Sequence, residues 1–506
     1  MGKFKLSLMA VSVAAVLAGC ASTSSDTLGL ADNEGTKTYA EAYAPAREML
    51  MNGQFDEIRA KMVENGQKTV KTEEKDEAGN VKEVSRDASL TDDEEMERLI
   101  NEQSELAIVE RGLISLNVGD VKRALFYFNA AEEKMNRAEA DDSAASKASS
   151  WGKTGAAAVI GAEEMANYQM RGYEKVMLLN YKALCYMLQG DRKAYNVTRR
   201  AIDLQQEEWE KFKKLLAENE AKAAEGTKDV AGLGDAMKNV KIDDRSEDVK
   251  AKAELVTSAY VNPFADYLNA MMMEIDGISD SALRSNARIA YQKVVDNNKD
   301  CSAARAAVRQ VEKGIPKGKK LVQVLISDGF APYQVEKNFT FPVPLGDKPF
   351  NVEVNYASAE PVATDTAGAR IMIGGKSANL SSLTKMESLI LRDEEDRLPL
   401  RATMFVLAAA RSALAGHFLG NLGSGLMSKV QHPDTRSWMT LPNQVYVARL
   451  VVPESQKTLK IETVSGNGAT IAGQTVELAE KGPTVVYGVS YGQHVKAYAN
   501  AFSWVN

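Results

Sequence analysis

Apolar positions along this chain change their period near residue 315. Upstream they recur every three to four residues, as in amphipathic helices. Downstream they alternate with polar residues or run in short blocks between turn signals, as in strands. The clearest helical piece is Ile108–Met135. There Gly112 lets two helices approach closely, and Gly119-Asp120 ends the first helix and opens a turn. Ala124 and Ala131 offer small packing positions, and Phe128 fills the gap between hairpins. A second unit is aligned by Gly190-Asp191, with Ala183 and Tyr186 before it. Its second helix has Tyr195 and Arg199 where a small and a large apolar residue are expected, so Ala194, Ala201 and Ile202 serve in a shifted register. A third unit surrounds Gly53-Gln54-Phe55, with Ala46 and Ile58 in place. A fourth begins at Asn262-Pro263-Phe264, an N-cap followed by proline at the first helical position. It runs through Met271-Met272-Met273 to Gly277 and resumes at Ala287, Tyr291 and Val294. The spacers 66–93, 139–158 and 218–248 are charged or rich in Ala, Ser and Gly, and read as mobile loops.

Beyond Gly314-Ile315-Pro316 the pattern predicts strands at Leu321–Ile326, Val335–Val343, Val352–Tyr356 and Arg370–Ile373. Two helical patterns follow, Ser381–Arg392 and Leu400–Leu419. Strands return at Gln444–Val452, Thr458–Val464, Gln474–Ala479, Thr484–Ser490 and Val495–Ser503. The predicted fold class is α+β and multidomain. A solenoid of helical hairpins covers 38–315. A β-rich domain, an antiparallel sandwich or open sheet, covers 316–506 with a helical insertion at about 381–428.

The first residues carry an address. Lys3 and Lys5 precede an apolar run, Leu6–Leu17, too short to span a bilayer comfortably, and the run closes on Leu17-Ala18-Gly19-Cys20. This layout resembles a bacterial lipoprotein signal. The resemblance implies loss of residues 1–19 and attachment of a diacylglycerol and an N-acyl chain at Cys20, the membrane anchor. Ala21 and Ser22, where a retention signal would place Asp, imply a lipid-anchored position at the outer membrane; the periplasmic face is the expected side, which these residues do not distinguish from the cell surface. Residues 20–37, poor in apolar residues, read as a flexible tether.

The spacings of Gly112, Gly119, Ala124, Phe128 and Ala131 resemble a tetratricopeptide (TPR) repeat. Such hairpins bind partners on the concave face of their first helices. Here that face would show Val109, Leu113, Leu116 and Asn117, then Met177, Asn180, Leu184, Met187 and Leu188. This face is largely apolar, which disfavours capture of a peptide carboxylate. Either the chain's own helices fill the groove or it takes an apolar partner segment. Asn117, Asn180 and Met187 are the candidate partner-binding residues there.

In the C-terminal half, Asp328-Gly329-Phe330-Ala331-Pro332, Pro342-Val343-Pro344-Leu345 and Asp434-Thr435-Arg436-Ser437-Trp438 with Thr440-Leu441-Pro442 are similar to a largely uncharacterised family of bacterial TPR lipoproteins with a C-terminal β domain. In setting it resembles lipoproteins found beside outer-membrane activators of peptidoglycan synthases, which implies envelope-protein partners and a link to cell-wall assembly. Arg436 and Trp438 sit in a segment that is either a recognition loop or a structural anchor. Asp434 can cap a turn, and Arg436 can pair with Asp434 or stack on Trp438.

Composition narrows the functions further. A net charge of −7 without a long basic block disfavours nucleic acid. Of three cysteines, Cys20 is taken by the anchor, leaving Cys185 and Cys301 to form a disulfide or to sit as buried thiols. His417, His432 and His494 lie in unrelated patterns, and Gly420–Gly425 lacks the lysine of a phosphate loop. Glu394-Glu395-Asp396 reads as a solvated face. No cofactor beyond the acyl groups and no metal site is expected. The leading reading is a non-catalytic interaction scaffold. Peptidoglycan binding or modification, with Trp438 and Tyr446 as stacking residues, and a structural part of an envelope machine are the alternatives.

Overall fold

The structure, a computed structural model, describes residues 39–64, 68–75, 81–88, 92–148, 168–226, 243–343, 350–419 and 433–501. It is a mixed α+β protein with helices dominating the N-terminal part and sheets the C-terminal part. The helical part comprises α1 (Tyr39–Met51), α2 (Phe55–Glu64), α3 (Asp92–Glu102), α4 (Glu105–Asn117), α5 (Val121–Ala148), α6 (Gly172–Leu188), α7 (Ala194–Gly226), α8 (Glu247–Ala253), α9 (Pro263–Asp276), α10 (Ser281–Asn297) and α11 (Ser302–Gln310). A ribbon of β1 (Lys68–Lys75) and β2 (Val81–Ala88) follows α2.

Three hairpin turns are built alike. In α1–α2, α4–α5 and α6–α7 the first helix ends on a glycine with positive φ: Gly53 at 70°, Gly119 at 87° and Gly190 at 71°. At each turn the glycine N–H bonds back three residues and the next N–H bonds back five, to Leu50 and Met49, Leu116 and Ser115, Met187 and Tyr186. That is the Schellman arrangement, which needs the left-handed conformation glycine adopts without strain. The α9–α10 turn differs: Gly277 has φ −66°. Asn262 caps α9 through Phe264 N, with Pro263 at its first position. Each second helix lies against the next first helix, α5 on α6 and α7 on α9. Gly112 admits the Phe128 ring so closely that a Cβ there would fall 2.6 Å from it.

The C-terminal part adds β3 (Lys319–Asp328), β4 (Tyr333–Val343), β5 (Phe350–Glu360), β6 (Gly368–Ile373), β7 (Lys376–Asn379), β8 (Ser381–Lys385), α12 (Met386–Asp396), α13 (Leu398–Leu419), β9 (Gln444–Pro453), β10 (Thr458–Val464), β11 (Thr470–Glu477), β12 (Thr484–Tyr491) and β13 (His494–Ala501). Five strands form one sheet in the order β13-β12-β3-β9-β8, and four form another in the order β11-β10-β6-β7. β12 and β3 pair parallel, where an antiparallel domain was expected, and all other pairs are antiparallel.

The five-stranded sheet is covered on both faces. Leu321, Leu325, Val447, Val485, Tyr487 and Val489 pack on the helices. Val322, Val324, Ile326, Ala448 and Val486 pack on Ile371, Leu459 and Ile461 of the second sheet. Double coverage explains why β3 reads as a continuous apolar run rather than an alternating one. Helices, central sheet and outer sheet thus stack as three layers.

Several expectations shift. The spacer 66–93 contains the β1–β2 ribbon, and α5 and α7 run on into the spacers 139–158 and 218–248, which also hold the start of α8. The helix expected at Ser381–Arg392 begins as a strand, β8, which joins the central sheet. In the second unit Ala194 and Ala201 are buried, as the shifted register requires. The signal segment, Cys20 and the tether lie outside the described residues, as do His432 and Gly420–Gly425.

Candidate functional site

The inner face of the hairpins, formed by the first helices α4, α6 and α9, meets the central sheet. Each first helix brings a polar group to it. Asn117 of α4 donates to Tyr491 OH at 2.7 Å and accepts from Tyr487 OH at 3.0 Å. Tyr181 of α6 stands 3.5 Å from Ser327 Oγ, which also accepts from Tyr487 OH at 3.3 Å. Tyr267 of α9 donates to Gln323 Oε1 at 3.1 Å. Gln323 donates to Glu274 and to Tyr291 OH, each at 3.0 Å. Arg449 of β9 closes this group with Nε at 2.8 and 2.9 Å from the two Glu274 oxygens. Burying these groups without partners would cost several kcal/mol each, so the register between helices and sheet is specified as well as filled.

Next to the sheet, the segment 433–443 lies across α4 and α6. Two buried carboxylates receive its backbone. Glu110 accepts from Met439 N at 2.5 Å and from Thr440 N at 3.1 Å, and Thr440 Oγ lies 2.5 Å from it. Glu174 accepts from Trp438 N at 2.9 Å and from Tyr168 OH at 2.5 Å. The Trp438 indole donates to Thr440 Oγ at 3.1 Å and lies among Phe128 and Tyr181. Ala331 N donates to Leu441 O at 2.8 Å, tying the segment to the end of β3. Burial pushes the Glu110 carboxyl up to about 8, against the pull of the Thr440 and Met439 hydrogen bonds. Burial also raises Glu174. Asp328 is pushed up to about 6 by burial, opposed by the Ser490 and Thr366 hydroxyls.

The residues expected to bind a partner therefore lie inside. Asn117, Asn180, Met187 and Trp438 have relative exposures of 1, 0, 0 and 2 %. The first-helix faces expected to form a groove are covered by the chain's own sheet with segment 433–443. Neither the helices nor an outside segment covers them. Arg436 stays partly exposed, pairs with Asp434 at 2.7 Å and lies over the Tyr168 ring at 5.4 Å rather than on Trp438. Tyr446 is buried too, at 7 %. Neither Trp438 nor Tyr446 offers a ring to a glycan.

A second correction concerns Glu394-Glu395-Asp396. Glu394 is buried rather than solvated, bonded to Arg171 at 3.0 Å, Arg401 at 2.8 Å and Gln334 at 3.2 Å. Asp393 beside it holds Arg397 at 2.7 Å. Arg397 and Arg401 lie four and seven residues further along the chain, but Arg171 comes from a segment more than 220 residues away, and its arrival is what buries the carboxylates as a paired group. Glu110 and Glu174, the hub of the interface, were missed because the backbone they accept from lies more than 260 residues away. Their only signal is an acidic residue on an otherwise apolar helix face.

Cys185 and Cys301 are free buried thiols, not a disulfide. His494 packs against the Gly53 turn. Among the described residues no group of His, Cys, Asp and Glu is placed to hold a metal ion, and no helix is long and apolar enough to cross a membrane. Comparison of the chain with protein-family models, with curated proteins and with solved structures finds no match.

Proposed function

We propose that this chain is a lipid-anchored, non-catalytic scaffold of the bacterial cell envelope, attached at Cys20 to the outer membrane, with TPR-like hairpins as its frame. The Leu17-Ala18-Gly19-Cys20 segment carries the reading of address. The Schellman turns repeated at Gly53, Gly119 and Gly190, with each second helix against the next first helix, support the TPR-like reading. A hairpin array whose inner face is filled by its own sheet presents partners with its outer surfaces on a rigid body. That suits a protein that holds envelope proteins in place near the bilayer. The link to cell-wall assembly rests on resemblance of setting.

Crosslinking in the native envelope followed by capture tests this. The expected result is a reproducible envelope protein joined to exposed positions, and an N-terminal peptide whose mass carries the diacylglycerol and N-acyl groups at Cys20. Absence of acyl mass at Cys20 overturns the address, and absence of any reproducible partner overturns the scaffold. Co-sedimentation with purified sacculi in the absence of partner proteins would favour the peptidoglycan reading instead.

A further inference from the structure

Arg47 of α1 differs from the other arginines that lie over aromatic rings. Its Cζ is 4.5 Å from the centre of the Phe330 ring and 5.3 Å from that of Tyr333. Arg397, Arg401 and Arg436 also lie over rings, and each holds a carboxylate, at 2.7, 2.8 and 2.7 Å. Arg47 holds none among the described residues. Tyr333, Glu110 and Tyr491 act on it, and all of them act through space. The Glu110 carboxyl is occupied elsewhere, by Met439 N, Thr440 N and Thr440 Oγ. Arg47 is nonetheless half-buried. Drawing a guanidinium partly out of water without an acceptor for its N–H groups is unfavourable, and folded chains pair such groups. Here the chain itself supplies no acceptor.

The surroundings hold this cation at the surface. Phe330 and Tyr333 flank the Ala331-Pro332 corner between β3 and β4, which Ala331 N ties to Leu441 O. Phe330 stacks in turn on Tyr491 at 4.6 Å. Met51 stands one helical turn beyond Arg47, is 43 % exposed, and reaches to Gly492 in the β12–β13 turn. Tyr333 is half-buried. Arginine, tyrosine and methionine are the residue types enriched at the centres of protein interfaces. A guanidinium lying over ring faces offers its N–H groups at its edge, where they match the two oxygens of a carboxylate. A phosphate dianion calls for a second positive charge. The groups that act on Arg47 are two phenols and a carboxyl, with no cation among them. A single negative charge fits.

We propose that Arg47, Met51 and Tyr333 form a receptor for a carboxylate, the acidic side chain of a docking protein, with the aliphatic stem of that side chain against Met51. The proposal deepens the scaffold reading and rests on it for the source of the carboxylate.

The test uses the mature chain, residues 20–506, with Cys20→Ser to keep it in solution and with isotope-labelled arginine. The Nε–Hε resonance of Arg47, assigned by its loss in Arg47→Lys, is followed while N-acetylglutamate is added at constant ionic strength. The expected result is a saturable shift in the millimolar range, with N-acetylglutamine and inorganic phosphate about tenfold weaker or more. No saturable shift, an equal response to N-acetylglutamine or chloride, or tighter binding of phosphate overturns the proposal. The titration uses the unsubstituted site, so it does not depend on how a variant folds. A photo-crosslinking residue at Ala44, exposed and one turn before Arg47, then tests the source in cells carrying the native Cys20. The expected result is a protein joined beside an Asp or Glu, its yield reduced about tenfold or more by Arg47→Gln. Crosslinking indifferent to Arg47→Gln, or none from Ala44 while other exposed positions capture a partner, overturns the proposal. If no exposed position captures a partner while the titration still saturates, the scaffold reading fails and the carboxylate site stands.

Discussion

Replacing Arg449 by methionine isolates the contact between helices and sheet most cleanly. Arg449 and Glu274 have side-chain exposures of 2 and 3 %, and Arg449 Nη2 lies 2.5 Å from Glu274 Oε1. Arg449→Met strips the carboxylate of its counter-charge while leaving it the Tyr291 hydroxyl at 2.9 Å and the Gln323 amide at 3.0 Å. Those two bonds offset only part of the desolvation, so the single substitution should cost about 3–5 kcal/mol. The double variant Glu274→Leu, Arg449→Met removes both charges. Gln323 then still has Tyr291 at 3.0 Å and Tyr267 at 3.1 Å, and only one buried donor, the Tyr291 hydroxyl from which Glu274 accepted at 2.9 Å, loses its partner. It should be more stable than Arg449→Met alone, by about 2 kcal/mol or more. Guanidinium denaturation followed in parallel by tryptophan fluorescence and far-ultraviolet circular dichroism gives both numbers. With Trp151, Trp209 and Trp504 replaced by phenylalanine in every variant, Trp438 at the interface reports on docking, and dichroism reports on the helices. A loss below about 1 kcal/mol for Arg449→Met, or a double-variant loss equal to the sum of the singles, refutes the reasoning.

Three further outcomes follow from the same contacts. Because burial raises the folded-state pKa of Glu110 to about 8, its contribution to stability is full below the unfolded carboxyl value and falls as pH rises toward 8; thermal midpoints should drop between pH 5 and 8.5, and Glu110→Gln should flatten that slope. Parallel pH curves for the two proteins would contradict it. Gly112→Val should destabilise by about 1–3 kcal/mol, read by denaturant midpoint, because the Phe128 ring must move. Trp438→Ala should cost about 3–5 kcal/mol in the same assay and leave any co-sedimentation with sacculi unchanged, since the ring is buried.

What the sequence revealed and what it hid have a common physical basis. The hairpins are written locally: the Gly-Asp turns, the small residues at Ala124 and Ala131, and the Asn262-Pro263 start all act within a few residues, and each is seen in place. The boundary near residue 315 is legible as a change of period. The interface is not, because its partners are far apart in the chain: Asn117 and Tyr491, Glu110 and Thr440, Glu274 and Arg449. Apolar first helices looked like an open groove because an apolar face reads the same whether its cover comes from the same chain or another. The β1–β2 ribbon escaped notice because KTVKTEEK and VKEVSRDA lack apolar alternation. The spacer portion of α7 is rich in Ala and Glu, strong helix formers that also resemble disordered composition, and that of α5 mixes Ala with Asp and Ser, which favour caps and turns.

The central claim is that helices and sheets form one body, the inner face of the hairpins being closed by the chain itself. Differential scanning calorimetry of the mature chain carrying Cys20→Ser tests it directly. The account predicts a single transition whose calorimetric and van't Hoff enthalpies agree. Two separable transitions, with the helical part surviving after the sheets have melted, would contradict it.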